Sequence, residues 1–319
     1  MELVDDNLKR LTDARILVVG DIMLDRYWFG SVDRISPESP VPVLAVNDVQ
    51  ERMGGAANVA ANVASLGASS TLLGVVGDDE AGKQICTLTR TASIRSEVYV
   101  DPSMQTTVKL RMVSRNQQLL RTDFEERPKE AALNGMMSRF SDLLGDHDVV
   151  VLSDYGKGAL VYVEEMIRLA NELGKQTLVD PKGKDFSRYA GATMITPNLK
   201  EFSEVVGSPV DDDELETIAG NVIHQLDIRK LLVTLSEKGM AMFAKNTRPI
   251  YQVAKTQEVY DVSGAGDTVI ASMALALAAK LDDHDALDLA NSAAGIVVSK
   301  IGTATASLEE LRLALKGGN

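Results

Sequence analysis

One cysteine, Cys86, stands in 319 residues. An intrachain disulfide and a cysteine-built metal cluster are therefore both excluded, and Cys86 reads as an ordinary helix residue in a reducing compartment. Aromatic residues make up only 4% of the chain, so small apolar side chains must fill most of the core. Basic charge is in deficit: 33 Lys and Arg against 46 Asp and Glu leave a formal charge of −13. A surface that coats nucleic acid is usually basic, so that class is disfavoured. A small phosphorylated ligand stays open, because it needs only a local cluster of donors. No apolar run reaches the length of a membrane span. The opening stretch MELVDDNLKRLTDARILVVG has no basic n-region leading into a long apolar run, as a secretory leader would. These absences predict a cytoplasmic protein with neither a nucleic-acid nor a membrane partner. What is present is ordinary globular composition, with 45% hydrophobic and 25% charged residues. The length allows one large α/β domain or a core with a small attachment.

The pattern along the chain alternates. Ile16–Gly20 is a short apolar run ending in Gly20 and Asp21, which reads as a buried parallel strand with its C-terminal end at a site. Gly55–Leu66 predicts a helix stopped by Gly67, Thr71–Val76 a strand and Asp78–Ala92 a helix. Further strands are expected at Val149–Leu152, Thr177–Val179, Ala192–Ile195 and Leu231–Leu235. Helices are expected at Val161–Leu173, Leu199–Val206 and Glu214–Leu226. Strands separated by helices imply parallel crossovers and a sheet covered on both faces. The last third predicts helices at Asp267–Ala279, Asp285–Ser299 and Ser307–Leu315, with Ser307 and Glu310 at capping-box spacing. Lys316–Asn319 is expected to fray.

Two stretches break this rhythm. Val41–Val46 follows the proline-rich SPESPVP, and Glu97–Arg121 contains a period-two alternation. There Val108, Leu110 and Met112 point one way, and Lys109, Arg111 and Val113 the other. The two excursions, around residues 28–50 and 95–121, are expected to pair into a small projecting sheet. Such a sheet has edges and an apolar face, so it predicts a lid, a dimerisation surface, or both. The plainer alternative is that they are edge strands of the main sheet.

DVSGAGDT, before the helical run that begins at Asp267, carries the clearest chemistry. Gly264, Ala265 and Gly266 are small enough for consecutive backbone N–H groups to converge at a helix N-terminus, an arrangement that binds anions. Asp267, in the first turn, has the reach to accept a proton from an attacking hydroxyl. The plainer reading is a helix cap after a tight turn. No Lys-Ser/Thr pair follows the glycines, so this is not a P-loop.

This segment resembles the C-terminal signature of the ribokinase-like (PfkB) carbohydrate kinase family, and MGGAANVAANVASLG at Met53–Gly67 resembles its N-terminal signature. The resemblance covers essentially the whole chain. It implies a ribokinase-like α/β fold, in which a central, mostly parallel sheet covered by helices carries a small β-sheet lid, as a single kinase domain over 1–319. Three further stretches resemble the branch of the family that acts on D-glycero-β-D-manno-heptose 7-phosphate: DIMLDRYWFGSVDRISPESPVPVL, VKLRMVSRNQQLLRTDFEE, and LSDYGKG with DPKG. That branch is often fused to an adenylyltransferase and feeds ADP-heptose synthesis for the lipopolysaccharide core.

The resemblance implies ATP and Mg2+ as cofactors and Asp267 as catalytic base, with Gly264, Ala265 and Gly266 stabilising the transferring phosphoryl group. Asp21, beyond the first strand, is expected to hold sugar hydroxyls, since ligands of doubly wound sheets bind past the strand C-termini. Asp25 and Arg26 are ranked below it. Gly54 and Gly55 would let backbone approach the sugar, and Asn58 would bond a hydroxyl. A phosphorylated sugar also needs a second anion site, for which Arg34, Arg52, Lys109, Arg111, Arg115 and Lys157 are candidates. Asn198 and Glu201 in TPNLKE have cap-pair spacing, and the family pattern adds magnesium contact by Glu201 through water. Lys182 and Asp180 are expected to face the phosphates. Thr234, Ser236 and Gly239 would shape the nucleotide pocket, with Ser236 standing where the family has glycine. Asn291 is expected on the adenine side.

These residues predict an ATP-dependent phosphoryl transfer to an anomeric hydroxyl, and a homodimer through the lid sheets. Two rivals stay open: a kinase of the same class for another sugar, nucleoside or sugar phosphate, and a non-catalytic sugar- or nucleotide-binding regulator. Basic side chains pointing away from the pocket would weaken the heptose phosphate reading.

Overall fold

The structure is a computed structural model and describes residues 2–115, 117–255 and 259–317. The chain opens with α1 (Glu2–Thr12), β1 (Arg15–Gly20), β2 (Ile22–Ile35), β3 (Pro42–Gly55), α2 (Ala56–Ser65), β4 (Ser69–Leu73), β5 (Val75–Gly77) and α3 (Glu80–Thr91). It continues through β6 (Arg95–Ser96), β7 (Tyr99–Asp101), β8 (Thr107–Ser114), β9 (Gln117–Phe124), α4 (Glu130–Leu144), β10 (Val149–Ser153), α5 (Val163–Glu172), β11 (Gln176–Asp180) and β12 (Met194–Ile195). The remainder is α6 (Leu199–Val206), α7 (Asp212–Gln225), β13 (Lys230–Thr234), β14 (Met240–Ala244), β15 (Ile250–Gln252), α8 (Ala265–Ala278), α9 (Asp283–Val298) and α10 (Leu308–Gly317).

The main sheet has the order β15-β14-β13-β12-β11-β10-β1-β4-β6, parallel throughout except for β14 and β15. β1 and β10 lie at its centre, and β10 is buried at every residue. Alternation along β1 divides the interior into two cores. Ile16 and Val18 face the layer built from α2, α8 and α9, whereas Leu17 and Val19 face α4, α5 and α7. Alanine dominates the first layer (Ala56, Ala57, Ala60, Ala271, Ala274, Ala290, Ala293), so the helices approach closely despite the shortage of aromatics.

The second sheet has the order β3-β2-β8-β9 and forms the lid. β2 runs antiparallel to β3 and parallel to β8, with Asp25 opposite Lys109 and Tyr27 opposite Arg111. Register shifts occur at Phe29/Gly30, Val32/Arg34 and Met112/Val113, all outward of those pairs. β3 is longer than the strand expected at Val41–Val46, because pairing with β2 continues to Gly55. The second excursion divides. Arg95–Ser96 is an edge strand of the main sheet beside β4, Tyr99–Asp101 pairs with β5, and only residues from Thr107 onward join the lid. Asn116, within the second excursion, and Gly318 and Asn319, in the end expected to fray, lie outside the described residues; Lys316 is still helical. No helix among the described residues is long and apolar enough to cross a membrane.

Candidate active site

The C-terminal ends of β10, β11 and β13 and the N-terminus of α8 border a cavity of about 200 Å³, lined by Asp154, Tyr155, Asp180, Lys182, Glu201, Thr234 and Asp267 among others. The turn before α8 is tight: Gly264 has φ +80°, and a Cβ there would lie 2.7 Å from the Asn58 amide nitrogen. Ala265 and Gly266 open the helix, and first-turn amides such as that of Gly266 have no intrahelical acceptor, which leaves them for an anion.

Asp267 sits on the buried side of that first turn. Its Oδ2 accepts from Asn58 Nδ2 at 2.7 Å and its Oδ1 from the Tyr155 hydroxyl at 2.7 Å. Burial raises this carboxyl to about 6, against the pull of those two donors. A carboxylate there is mostly ionised at neutral pH and basic enough to take a proton. The Asn58 side-chain amide is therefore engaged by Asp267 instead of standing free for a sugar hydroxyl. α2 carries Asn62 one turn further on, and its amide bonds the Asn58 carbonyl at 2.9 Å.

Asp21 departs from expectation. Its carboxylate accepts the backbone N–H groups of Tyr155 (2.8 Å), Lys157 (2.9 Å) and Ala159 (2.9 Å). It is buried and holds the 154–159 turn in place. Asp25, ranked below it from the sequence, lies on the inner face of the lid, where it accepts from Arg111 Nη1 at 2.7 Å and is itself buried. The physical reason is a strand break. The sheet hydrogen bonding of β1 ends at Gly20, the Asp21 amide still reaches Ser153 O, and β2 then turns away into the lid. Gly54 and Gly55 serve this junction: a Cβ on Gly54 would lie 2.7 Å from Asp25 Oδ2, and one on Gly55, whose φ is +57°, would lie 2.4 Å from Asp21 O.

The six basic candidates separate. Lys109 and Arg111 share the inner face of β8. Lys109 has no ion-pair partner among the described residues, and its ammonium lies 5.2 Å from the centre of the Tyr155 ring. Burial lowers its pKa, against the attraction of Asp25. Arg52 donates to Ile301 O and covers the Tyr27 ring, which Arg111 also approaches. Lys157 pairs with Glu125 at 2.5 Å, which ties the turn to the end of the lid. Arg34 and Arg115 are exposed at the outer end of β2 and the tip of the β8–β9 hairpin, and the structure does not bring them to the cavity. Arg26 bridges Glu51 and Glu80 at 2.6 Å each by hydrogen bond, fastening the lid base to α3.

At the opposite end, Asn198 and Glu201 form a complete capping box on α6, while Glu201 Oε1 also accepts from Lys182 Nζ at 2.7 Å. Asp180 points into the same space. Desolvation, together with Asp267 and Glu201, lifts its carboxyl well above the usual range, so a cation is favoured beside it. No group of three or more His, Cys, Asp or Glu among the described residues could cage a metal, so a divalent cation beside Asp180 and Glu201 would need most of its ligands from outside the protein. Thr234 lines the cavity, and its amide bonds Pro197 O at 3.1 Å. Ser236, in glycine's place, adopts φ +56°, and Gly239 is confined because a Cβ would lie 1.9 Å from Gln252 O. Asn291 does not face a nucleotide freely: it is buried and donates to Val253 O at 2.7 Å, anchoring the segment after β15.

Known proteins share this fold. The sequence profile of the pfkB family carbohydrate kinases matches residues 13–311. The chain is 52% identical over 304 residues to "Bifunctional protein HldE" of Methylococcus capsulatus, covering 95% of this chain and 64% of that protein. It is 50% identical over 303 residues to "D-beta-D-heptose 7-phosphate kinase" of Bordetella bronchiseptica, covering 95% and 96%. It thus spans somewhat under two thirds of the bifunctional relatives and nearly all of the shorter one. Among solved structures, Escherichia coli phosphofructokinase-2 superposes with a TM-score of 0.80 at 19% identity, covering 95% of this chain and 99% of that one. Arabidopsis thaliana ribokinase superposes at 0.74 and 20%, covering 95% and 98%. With the family profile spanning nearly its whole length, the chain belongs to the pfkB family of carbohydrate kinases.

Proposed function

We propose that this kinase transfers the γ-phosphoryl group of ATP to the anomeric hydroxyl of D-glycero-β-D-manno-heptose 7-phosphate, giving the 1,7-bisphosphate and ADP. The observation that carries the substrate class is Lys109, a half-buried ammonium without an ion-pair partner among the described residues, beside Asp25 and Arg111 on the inner lid face. A carboxylate beside unneutralised positive charge suits a polyol that also bears a phosphate. The 50% identical relative named as a heptose 7-phosphate kinase supports the specific sugar.

In this reading Asp25 accepts sugar hydroxyls, Lys109 and Arg111 receive the 7-phosphate, and the anomeric hydroxyl points at Asp267. Asp267 takes its proton while the hydroxyl oxygen forms a bond to the γ-phosphorus. The bond from that phosphorus to the bridging oxygen of ADP breaks, and ADP leaves with the electron pair. The amides at 264–267 receive charge on the transferring group. Glu201 and Asp180 would hold a magnesium ion, through water, and the ion would neutralise charge on the phosphate oxygens. Lys182 stands beside them, and closure of the lid excludes water as a competing acceptor. The reaction belongs in the cytoplasm, where ATP is. Once a phosphatase has hydrolysed its 7-phosphate, the product is the 1-phosphate that an adenylyltransferase, fused or separate, would convert to ADP-heptose. Exposed Val49, Leu119, Leu120 and Phe124 on the lid strands support a homodimer through the lids.

The test is magnesium-dependent ADP release on a panel of this heptose 7-phosphate, its α anomer, fructose 6-phosphate and ribose, with wild type and Asp267→Asn. Turnover on the first sugar, reduced by about 10²–10⁴ in the variant with sugar binding retained, is the expected result. Turnover confined to another sugar would overturn the substrate. Folded, ATP-binding protein that releases no ADP with any sugar would overturn the catalytic reading.

A further inference from the structure

Tyr155 was not singled out by its sequence, yet it contacts both Asp267 and Lys109. Its hydroxyl donates to Asp267 Oδ1 at 2.7 Å, and its ring lies under the Lys109 ammonium. It is also held from behind. The Asp21 carboxylate accepts the Tyr155 amide, and Asp154 accepts the next amide, Gly156, at 2.8 Å and the Tyr189 hydroxyl at 2.8 Å. The turn that carries Tyr155 is therefore fixed by two buried carboxylates that have no evident part in the chemistry.

We propose, on the basis of the kinase reading above, that Tyr155 is a positioning residue for phosphoryl transfer: its hydroxyl, set by the Asp21-anchored turn, fixes Oδ1 of Asp267 and keeps the carboxylate aimed into the cavity. Asn58 does the same for Oδ2 from the other side. A carboxylate has about four lone-pair sites, so both oxygens can hold these donors and still accept the substrate hydroxyl.

The electrostatic surroundings make this bond measurable. Asp267 faces Asn58 on α2, Tyr155 after β10, Asp25 on β2 and Lys109 on β8, and Asp180 at the end of β11 acts on it across the cavity. Arg111 acts through Asp25, and Asp154, Lys182 and Glu201 line the same space. Burial and the acidic neighbours raise the carboxyl, while Tyr155, Asn58 and Lys109 lower it. Tyr155 itself stays protonated, because desolvation and the nearby carboxylates push its phenol well above its ordinary value. It can only donate. Removing that donor leaves the carboxylate less stabilised and shifts its titration upward.

The experiment is Tyr155→Phe, which keeps the ring and the backbone bond to Asp21. The Asp267 carboxyl is titrated by 13C NMR on aspartate-labelled protein, assigned with Asp267→Asn, and kcat/KM is followed against pH. The expected result is an upward shift of about one pH unit in both the titration and the acid limb of kcat/KM. An unmoved titration overturns the proposal. So does a shifted titration with an unmoved acid limb, or a fall in rate uniform across pH, which is what a purely structural role would give. The NMR titration does not depend on turnover, so failure of the kinase reading is distinguishable from failure of this one. If Tyr155→Phe does not fold, wild type carrying 3-fluorotyrosine is used. One 19F resonance must then titrate with Asp267 and lose that titration in Asp267→Asn; its absence overturns the proposal.

Discussion

The turn at 154–159 and the inner face of the lid both lie beside Asp267, and each engages one of two aspartates that follow the first strand. At the turn, Asp21 is saturated by three backbone amides and its surroundings are closed. On the lid, Asp25 holds one guanidinium and stands beside an unpaired ammonium, so the group of charges is incomplete by itself. Saturated polar groups fix geometry, whereas unsaturated ones await a ligand. The same residue type four positions apart thus does two different jobs, and neighbours decide which.

Substitutions at the two aspartates should separate the regions. The largest effect is expected from Asp25→Asn, which removes the charged acceptor that the proposed function assigns to sugar hydroxyls. A fall in kcat/KM of about a hundredfold or more follows from losing charged hydrogen bonds at about 1.5–3 kcal/mol each; steady-state kinetics on the heptose 7-phosphate checks it. Lys109→Met should act mainly through KM for the phosphorylated sugar, raising it about tenfold to a hundredfold. ATP KM should stay near wild type, and an equal change for an unphosphorylated sugar would refute the phosphate role. Asp21→Asn should instead show in stability. Its amide group meets backbone donors, and each unsatisfied buried group costs about 1–3 kcal/mol, so the melting temperature should drop before any specific change in sugar affinity.

The smallest effect is expected far from both regions. His147 is buried, with Nδ1 donating to Leu143 O at 2.7 Å and Nε2 accepting from Thr71 Oγ1 at 2.8 Å. Burial lowers its pKa, so the folded state keeps it neutral while the unfolded chain protonates near pH ~6.5. The associated stability is complete above that pH and declines as pH falls below it. Melting curves between pH 7.5 and 5.5 should flatten in His147→Gln once the common acid slope is subtracted.

How far the sequence revealed this depended on whether a signal was local. The helix Leu199–Val206 and both capping boxes, Asn198 with Glu201 and Ser307 with Glu310, were readable because each is complete within four residues. The start of α8 was readable to within two residues because small residues before a helix announce its N-terminus. α1, α4 and the β14–β15 hairpin went unnoticed. The sheet pairing of β14 with β13 depends on neighbours that no short window contains. Asp21 was preferred to Asp25 because it follows the strand directly, and the turn that claims it lies more than a hundred residues away. Tyr155 had one legible sign, a glycine-containing turn after a buried strand, but its partner is 112 positions distant. Asn291 had none, since its acceptor is a backbone carbonyl 38 residues away.

The register shifts in the lid have a consequence for how this protein can change over generations. All three lie beyond the rows that carry Asp25, Lys109 and Arg111. On β2 and β3 the two slips fall on opposite strands, Asn47 being the extra residue in one and Asp33 in the other, so the pairing regains its count by Ile35 opposite Pro42. A slip of one residue ordinarily turns every side chain to the wrong face. Here the outer ribbon can absorb an insertion or deletion at points already irregular, and the inner rows keep their alignment. Change in the outer rows is thereby insulated from the rows that hold Asp25, Lys109 and Arg111.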